Sequence, residues 1–348
     1  MTFRYDFSAV GPDFPTSRVA KSILRFKEYA AVKGLPRKTL EHSLLMASWN
    51  IKHLGGVGRT QEALWYIAEI LSSFDIIAVQ EVKRKLDDLE AVLSLMGPWW
   101  RYVVTDVTEG TDGNDERLAY VYDSRKVEFS GLAGELVVPP IENADGTETP
   151  AIQFDRSPFL AGFSAGWFKF QLATVHLAWA TAEFEDPDRV READTLAAFM
   201  KRRAETDIGT WARNVFLIGD FNFFNPTSQA FRAMIDHGFT IPVGRQELEQ
   251  SNAGAKARFY DQIAYYLKDA DIAPSRMGVL NLFEAFYTDA QFEADFEPWI
   301  TKADGSIPSD KRKYYRTYYR RDQLSDHFPL WIELPIDFGN AYLKRHIE

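Results

Sequence analysis

The chain has 348 residues, of which 46% are hydrophobic and 26% charged, which allows one large domain or two ordinary ones and excludes a disordered chain. Its formal net charge of −10 argues against a globally basic surface, although phosphate can still be met by a local patch or through bound cations. The absence of cysteine excludes disulfides, thiolate catalysis and cysteine-ligated zinc.

The beginning of the chain gives no sign of export or membrane insertion. Residues 1–21 lack a long apolar run after a basic start, and no stretch approaches the roughly 18 apolar residues of a membrane-spanning helix. We therefore expect no membrane association and a cytoplasmic location. Nothing in the sequence requires a stable protein partner or more than a monomer.

Helical and strand-like segments alternate in the first hundred residues. We predict that residues 1–43 form an N-terminal extension that packs on the main domain and contains a helix over 17–33. Apolar runs predict buried strands, and helical spacing of apolar residues predicts helices. In order, these are a strand at 44–50, a helix at 58–73 with Thr60 as N-cap, a strand at 74–82 and a helix at 84–96.

Strands dominate the middle of the chain, and helices return after them. The polar segments 140–150 and 244–256 are predicted to be loops within a single domain over 44–340. The mixture favours two packed sheets, mixed or antiparallel, with helices outside them. Strands are predicted at 101–107, 117–124, 126–136, 158–166, 167–177, 214–222, 258–267 and 329–336, and helices at 186–205 and 227–238.

Polar side chains stand at the ends of several of these apolar strands. Singly, each is explained by a cap, a turn or an ordinary histidine. Together they indicate an active site, because strand ends at one edge of a sheet converge in space. The set comprises Asn50, Glu81, His176, Asp220, Asn222, Asp261, Asp326 and His327.

The chemistry of this set points to phosphate ester hydrolysis. Carboxylate and amide oxygens are ligands that suit Mg²⁺ or Mn²⁺ better than zinc. Histidines oriented by carboxylates can transfer protons, and a bound divalent cation neutralises phosphate. We therefore predict Mg²⁺ as the cofactor, with Mn²⁺ as the alternative.

The motifs resemble those of the endonuclease/exonuclease/phosphatase superfamily, and most closely its deoxyribonuclease I-like branch. The resemblance covers residues 44–336 and implies a four-layered α/β sandwich, with two central sheets and outer helices. GDFN and SDH are moderately specific alone, but the ordered set is a strong signal. The motifs are ASWNIKHLG (47–55), VQEV (79–82), TVHL (174–177), GDFN (219–222), YDQI (260–263) and SDHFPLW (325–331).

The resemblance implies a role for each residue around the metal and the attacking water. Glu81 would be the main metal ligand, and Asn50 would hold the metal or the phosphate. Asp220 would orient or deprotonate water, while Asn222 would contact the phosphate. Asp326 would complete the metal or the acid/base group.

It also implies two histidine–carboxylate pairs. His327, oriented by Asp261, would bind and polarise the scissile phosphate. His176 would be the second catalytic histidine, with Glu116 of NDERLAYVY as its partner. That second pair is typical of the deoxyribonuclease I-like branch, and AP endonucleases lack it. An ordinary exposed strand residue is the alternative interpretation of Glu116.

Three further details bear on the branch. AP endonucleases carry an aspartate where this chain has Lys52, and the tryptophan-and-cysteine signature of inositol phosphatases is absent near YDQI. Arg156 stands where the deoxyribonuclease-like branch has a phosphate-binding arginine, with a surface ion pair as the alternative. These details favour DNA as the substrate.

Residues 310–327 interleave basic residues with tyrosines directly before the SDH motif. Such a tract suits a phosphate backbone and stacked bases, so Arg316 and Arg320 are predicted to bind substrate. Lys256 and Arg258 would extend the same rim. The alternative is a solvated loop or edge strand whose tyrosines pack on the core.

Three functions remain open from the sequence. The first is a metal-dependent endonuclease that hydrolyses DNA phosphodiester bonds. The second uses the same site on a phospholipid or on a small phosphodiester or phosphomonoester. The third is a non-catalytic scaffold, which fits poorly because every expected catalytic position is occupied.

Overall fold

Two β-sheets form the centre of the protein. The structure is a computed structural model that describes residues 5–109, 114–179, 185–206, 211–242, 250–254, 256, 258–268, 272–344 and 346–347. Its strands are β1 (Ser43–Leu54), β2 (Ile76–Lys83), β3 (Trp100–Val104), β4 (Glu116–Asp123), β5 (Glu128–Glu135), β6 (Ile141–Glu142), β7 (Glu148–Thr149), β8 (Phe159–Ala165), β9 (Phe168–His176), β10 (Val215–Asp220), β11 (Asp261–Tyr266), β12 (Arg276–Val279) and β13 (Leu330–Pro335).

Both sheets are mixed, and each is built around one parallel pair. Within the described residues, the first sheet has the order β12-β13-β1-β2-β4-β3 and the second the order β11-β10-β9-β8-β5. The parallel pairs are β1 with β2 and β9 with β10, and all other neighbours are antiparallel. The predicted loop 140–150 contains the short β6–β7 hairpin, whereas residues 244–249 and 255 of the other predicted loop lie outside the described residues.

Helices cover the outer faces of the two sheets. Buried side chains of α1, α2 and α3 join one apolar core with the first sheet, and those of α4 and α5 join another with the second sheet. The predicted four-layered α/β sandwich is therefore confirmed. No helix in the described part of the chain is both long and apolar enough to cross a bilayer. The helices are α1 (Thr16–Val32), α2 (Gln61–Ser72), α3 (Asp87–Met96), α4 (Pro187–Glu205), α5 (Gln229–Asp236), α6 (Asp289–Gln291), α7 (Lys311–Tyr314), α8 (Arg320–Gln323) and α9 (Gly339–Lys344).

The N-terminal segment lies against the first sheet's helical layer. Val19, Ile23 and Phe26 on one face of α1 are buried in the core, as expected for helical spacing of apolar residues. An ion pair of 2.6 Å joins Arg18 to Glu62 of α2. The helix predicted at 17–33 is thus present and packed, while the division into an extension and a domain stays a prediction.

Polar side chains link the two sheets through an otherwise apolar interior. The Tyr120 hydroxyl of β4 donates to the carbonyl of Leu172 in the second sheet and accepts from the backbone N–H of Thr174. Gln80 of β2 donates to the Thr174 hydroxyl at 2.9 Å. Because buried polar groups cost free energy unless they are bonded, these contacts fix how the sheets face each other.

The strand directions bring all predicted catalytic positions to one edge of the sandwich. The parallel strands β1, β2, β9 and β10 all end there, and the antiparallel neighbours β4 and β11 begin there with Glu116 and Asp261. Asp220 stands directly opposite His176 on one side and Asp261 on the other. One row across three strands therefore carries three of the predicted residues.

The basic and tyrosine-rich tract is helical, so its interpretation as a loop or edge strand was wrong. Helix α7 continues through a π-helical segment, Tyr315–Tyr319, into α8. Tyr315 is fully buried, and Tyr319 stacks on it with ring centroids 5.7 Å apart. The predicted packing of tyrosines on the core is thus observed for these two residues. Strand β12 was also missed.

Gly219 allows β10 to approach β9 closely just before Asp220. Its φ of +142° lies in a region that side chains with a Cβ rarely adopt, and an added Cβ would stand 2.2 Å from the Val175 carbonyl oxygen. The backbone of Val175 cannot yield without breaking the parallel pairing. The glycine of the GDFN motif is therefore required by the strand that presents the aspartate.

We predict that Gly219→Ala lowers the free energy of unfolding by about 3 kcal/mol or more, because backbone strain and a backbone clash add. Urea denaturation would measure this. Gly134→Ala in β5 is the control, since its Cβ meets nothing within 4 Å and should change stability by less than about 0.5 kcal/mol. Equal losses in the two variants would contradict the prediction.

Candidate active site

Asp220 is the centre of the cluster of predicted catalytic residues. Its Oδ2 lies 3.8 Å from Nε2 of His176 and 3.7 Å from Nε2 of His327. Both distances exceed a hydrogen bond, so the three groups converge without bonding one another. The gap between them is of the kind that a water molecule or a ligand oxygen fills.

A carboxylate orients each imidazole from behind. Nδ1 of His176 lies 2.8 Å from Oε2 of Glu116, and Nδ1 of His327 lies 2.9 Å from Oδ2 of Asp261. Each bond fixes the ring so that Nε2 points at Asp220. The structure thus brings both predicted histidine–carboxylate pairs into contact, and Glu116, only 3% exposed, is not an ordinary exposed strand residue.

Asn50 and Glu81 form the other half of the cluster. The Asn50 side-chain amide donates to Glu81 at 2.9 Å and to Asp220 at 3.1 Å. Its oxygen Oδ1 is buried, and no donor among the described residues reaches it. A buried oxygen without a partner beside a carboxylate fits a divalent cation, which prefers such ligands.

His53 belongs to the same cluster, and the sequence analysis did not single it out. Its Nδ1 lies 3.0 Å from Oε2 of Glu81, and its backbone N–H donates to the same oxygen at 3.1 Å. Atoms of His53, Glu81 and Glu116 lie within 4.8 Å of one another, a spacing that can hold a metal ion. Pairing between β1 and β2 is irregular between Asn50 and Leu54, which turns His53 toward Glu81. The only signal in the sequence was a histidine inside the motif ASWNIKHLG.

Three residues of this site adopt left-handed backbone conformations. The φ angles are +49° at His53, +60° at Glu81 and +55° at Asn222. Asparagine tolerates this region, whereas histidine and glutamate are strained there. At Asn222 the turn lets the backbone N–H donate to Oδ1 of Asp220 at 3.0 Å, and its side-chain amide donates to the Leu177 carbonyl at 2.8 Å.

The carboxylates and imidazoles shift one another's protonation. Burial opposes ionisation of Glu81, but bonds from His53 and the charge of His176 hold its pKa well below the usual range. Burial likewise opposes ionisation of Glu116, and His176 lowers its pKa. Burial alone would lower the pKa of His327, but the carboxylates facing it outweigh that effect and raise the pKa well above its usual value.

Two further predicted residues lie at the margin of the cluster. Arg156 is buried and donates to the backbone carbonyls of His176 and Leu177, at 2.9 and 3.2 Å, so it holds the end of β9. The charge of Asp326 contributes to the raised pKa of His327. Asp326 is absent from both groups of residues that could hold a metal ion within the described part of the chain, which are His53 with Glu81 and Glu116, and Asp220 with Asp261 and His327. Phosphate binding by Arg156 and metal binding by Asp326 stay predictions.

Arg316 and Arg320 are engaged elsewhere. Nε of Arg316 donates to Asp289 at 2.8 Å, and the guanidinium of Arg320 lies over the Phe283 ring, 4.1 Å from its centroid. No hydrogen bond or ion pair among the described residues joins either arginine to the catalytic cluster. Their predicted contact with substrate is untested and would have to occur away from Asp220.

The fold is shared with solved structures of endonuclease/exonuclease/phosphatase-family proteins. A family protein of this kind from Bacteroides thetaiotaomicron has 19% sequence identity and a TM-score of 0.54, covering 85% of this chain and 99% of that one. A mannosyl-6-phosphatase from the same organism matches with the same identity and TM-score, over 84% of this chain and 99% of its own. The fold that the sequence motifs implied is thus the fold of these solved structures.

A curated relative is more similar in sequence. A deoxyribonuclease from Thioalkalivibrio sp. is 34% identical over 188 residues, which is 51% of this chain and 46% of the relative. The chain therefore matches less than half the length of that relative. No protein-family model matches the chain.

We predict that Glu81→Gln weakens binding of a divalent cation by at least about 10-fold, because it removes the charge beside the Asn50 oxygen. Isothermal titration calorimetry with Mn²⁺ would measure the affinity without any substrate. Glu135→Gln, at an exposed position of β5, is the matched control and should bind as the wild type does. Unchanged affinity in Glu81→Gln would place the cation elsewhere.

The raised pKa of His327 also predicts how stability depends on pH. Protonated His327 stabilises the fold fully below the pKa of an unfolded histidine, about 6.5, and this contribution is lost as pH rises through the raised folded-state pKa. The stability difference between wild type and His327→Gln should therefore be largest near pH 6 and shrink at alkaline pH. Urea denaturation in EDTA would test it. A difference that grows with pH would contradict the assignment.

Proposed function

We propose that the protein is a divalent-metal-dependent phosphoric ester hydrolase whose substrate is DNA, cut as an endonuclease. The observation that carries the proposal is the convergence of two carboxylate-oriented imidazoles on Asp220, beside the Asn50–Glu81 pair. Such a cluster can bind phosphate, activate water and protonate a leaving group in one place.

The residues divide these tasks by their charge and orientation. His327, cationic at neutral pH, donates from Nε2 to a non-bridging oxygen of the scissile phosphate and is held in place by Asp261. Asp220 accepts a hydrogen bond from the attacking water, orients it toward phosphorus and takes the proton that the water loses as its oxygen bonds to phosphorus. His176, held by Glu116, supplies a proton to the departing oxygen from the opposite side of Asp220. Asn222 is the further donor that we assign to the phosphate.

Glu81 and Asn50, with His53 beside them, are the residues that would hold Mg²⁺ or Mn²⁺. The cation would neutralise charge on the phosphate as the bond to the leaving group breaks. Glu81 suits this position because its pKa is held low, so it stays ionised, and because Asn50 and the His53 N–H fix both of its oxygens.

DNA is favoured among phosphoric esters by three considerations. The curated relative that matches at 34% identity is named a deoxyribonuclease, and the second histidine–carboxylate pair is expected in the deoxyribonuclease I-like branch. The fold also occurs in TDP2 of D. rerio, solved with a single-stranded DNA product, at a TM-score of 0.51 and 13% identity, covering 84% of this chain and 98% of that one.

A small phosphomonoester is the second candidate. The mannosyl-6-phosphatase shares this fold with a TM-score of 0.54, so the fold itself accommodates such a substrate in that protein. The same catalytic groups would serve either ester. Activity on a panel of sugar phosphates without activity on DNA would favour this candidate.

We predict that His176→Ala lowers DNA cleavage by about 100-fold to 10,000-fold, as expected when a residue that transfers protons is removed. Nicking of supercoiled plasmid with Mg²⁺, Mn²⁺ or EDTA would measure it, and Asp220→Asn should have a comparable effect. His237→Ala is the matched control, because His237 forms an exposed pair of 2.8 Å with Asp194 outside the site and should not affect nicking.

Metal-dependent nicking that survives in both His176→Ala and Asp220→Asn would show that another site, or a contaminant, cleaves the DNA. Absence of cleavage of both supercoiled plasmid and single-stranded DNA by the wild type with either metal would remove DNA as the substrate.

A further inference from the structure

A pocket lies beside His327, next to the acidic cluster, and its lining differs from that cluster. It has a volume of about 340 Å³, which is at the lower end of the range for small-molecule sites. Its walls are aromatic and its rim carries two cationic side chains. The lining residues are Trp179, Phe224, Asn252, Gly254, Lys256, Arg258 and Tyr260.

Every aromatic wall of this pocket lies on a segment that also carries a catalytic residue. Trp179 follows His176 by three positions, and Phe224 follows Asn222 by two. Tyr260 directly precedes Asp261, and its ring centroid lies 5.8 Å from that of His327. The pocket is therefore adjacent to the position assigned to the scissile phosphate.

The aromatic rings form a fixed arrangement. The Trp179 ring meets Tyr260 edge-on, with centroids 5.5 Å apart at 77°, and lies 5.7 Å from Phe224. Phe224 is buried, with the guanidinium of Arg258 over its ring at 4.4 Å, so it acts as a support. Trp179 is 43% exposed and offers an open aromatic face.

The backbone that carries Trp179 is anchored from behind. Arg189 of α4, almost fully buried, donates to the Trp179 carbonyl at 2.8 Å. Glu192 of the same helix accepts from the Ala178 N–H, also at 2.8 Å. These bonds fix the backbone that carries the indole before any ligand arrives, which lowers the entropy cost of binding.

Rigid aromatic faces with nearby cations suit a planar base that is attached to phosphate. Lys256 is exposed at the rim, and Arg258 stands between Phe224 and Tyr260, where either can meet a phosphate next to a stacked base. In a chain of net charge −10, this concentration of positive charge favours an anionic ligand.

We propose that this pocket binds one unpaired nucleobase of the substrate strand, next to the scissile phosphate. The proposal rests on the proposed function and narrows it to nucleic acid with an unstacked base. A base in a duplex is stacked on both faces and paired, so it cannot enter a pocket walled by three aromatic rings. Single-stranded DNA, or a frayed or gapped site, is therefore the preferred substrate over intact duplex.

The test begins with binding, which needs no catalysis. Fluorescence anisotropy of a labelled oligothymidine in EDTA should show affinity weakened by about 5-fold to 150-fold in Trp179→Ala, the range expected for one stacked base. Trp179→Phe should retain most of the affinity. Trp99→Ala is the matched control, since Trp99 is comparably exposed, at 52%, and contributes to no part of the site.

Lys256→Gln provides a second variant that leaves the aromatic walls intact. It should weaken the binding of oligonucleotides of different sequence by about the same factor. The number of ions released on binding, taken from the salt dependence of the affinity, should fall by about one. Binding of oligothymidine that is equal in wild type, Trp179→Ala and Lys256→Gln overturns the proposal, whatever the protein cleaves.

Cleavage then separates this proposal from the proposed function. Thymidylyl-thymidine is compared with two analogues, each with one thymine replaced by hydrogen on a tetrahydrofuran sugar. The wild type should cleave one analogue far more slowly, and Trp179→Ala should cleave that analogue and the parent equally. Equal cleavage of all three by the wild type overturns the base pocket and leaves a phosphodiesterase. Cleavage of none, together with absence of cleavage of plasmid and of longer single-stranded DNA, contradicts the proposed function, and the binding measurements still decide the pocket.

Discussion

The concentration of buried negative charge at one edge of the sandwich is the constraint on which the rest of the site depends. Glu81, Glu116, Asp220 and Asp261 are largely withdrawn from water, and each comes from a different strand. Ionised carboxylates in such surroundings are stable only when cations and donors compensate them. The imidazoles, the Asn50 amide and Lys83, whose ammonium lies 3.1 Å from Glu116, provide part of this compensation, and a divalent cation would add to it.

The sheet topology makes this concentration possible. Parallel pairing aligns the ends of β1 with β2 and of β9 with β10, and the antiparallel neighbours return to the same edge carrying the orienting carboxylates. The helices contribute from outside: α4 anchors the loop after β9 through Arg189 and Glu192, which holds the backbone between His176, a proposed catalytic residue, and the aromatic pocket next to it. The contacts of α4 with the loop after β9 thus support both the candidate site and the aromatic pocket.

Most strands and the long helices could be predicted because their apolar residues follow simple periods, and the strand ends then indicated the residues that the structure brings together in the candidate site. His53 could not be found in this way, because an irregularity of β1 rather than a strand end brings it to Glu81. The secondary structure of the tract at 311–323 was not predicted correctly, because tyrosine is amphipathic and occurs both in cores and on surfaces. Tyr315 and Tyr319, four residues apart, face the core, whereas the charged residues between them suggest a solvated rim. Trp179 lies outside every sequence motif, and only the folded structure brings it next to Phe224 and Tyr260.

The left-handed backbone at His53 and Glu81 has a consequence for how this protein can change. Strain at these positions is free energy that the fold has to supply, so selection for thermal stability alone would act against them. Glycine at position 53 or 81 would relax the backbone and remove a proposed metal ligand in the same step. Heat tolerance and turnover are therefore opposed at these positions, and stabilising changes compatible with activity should accumulate far from this edge, in the outer helices and loops.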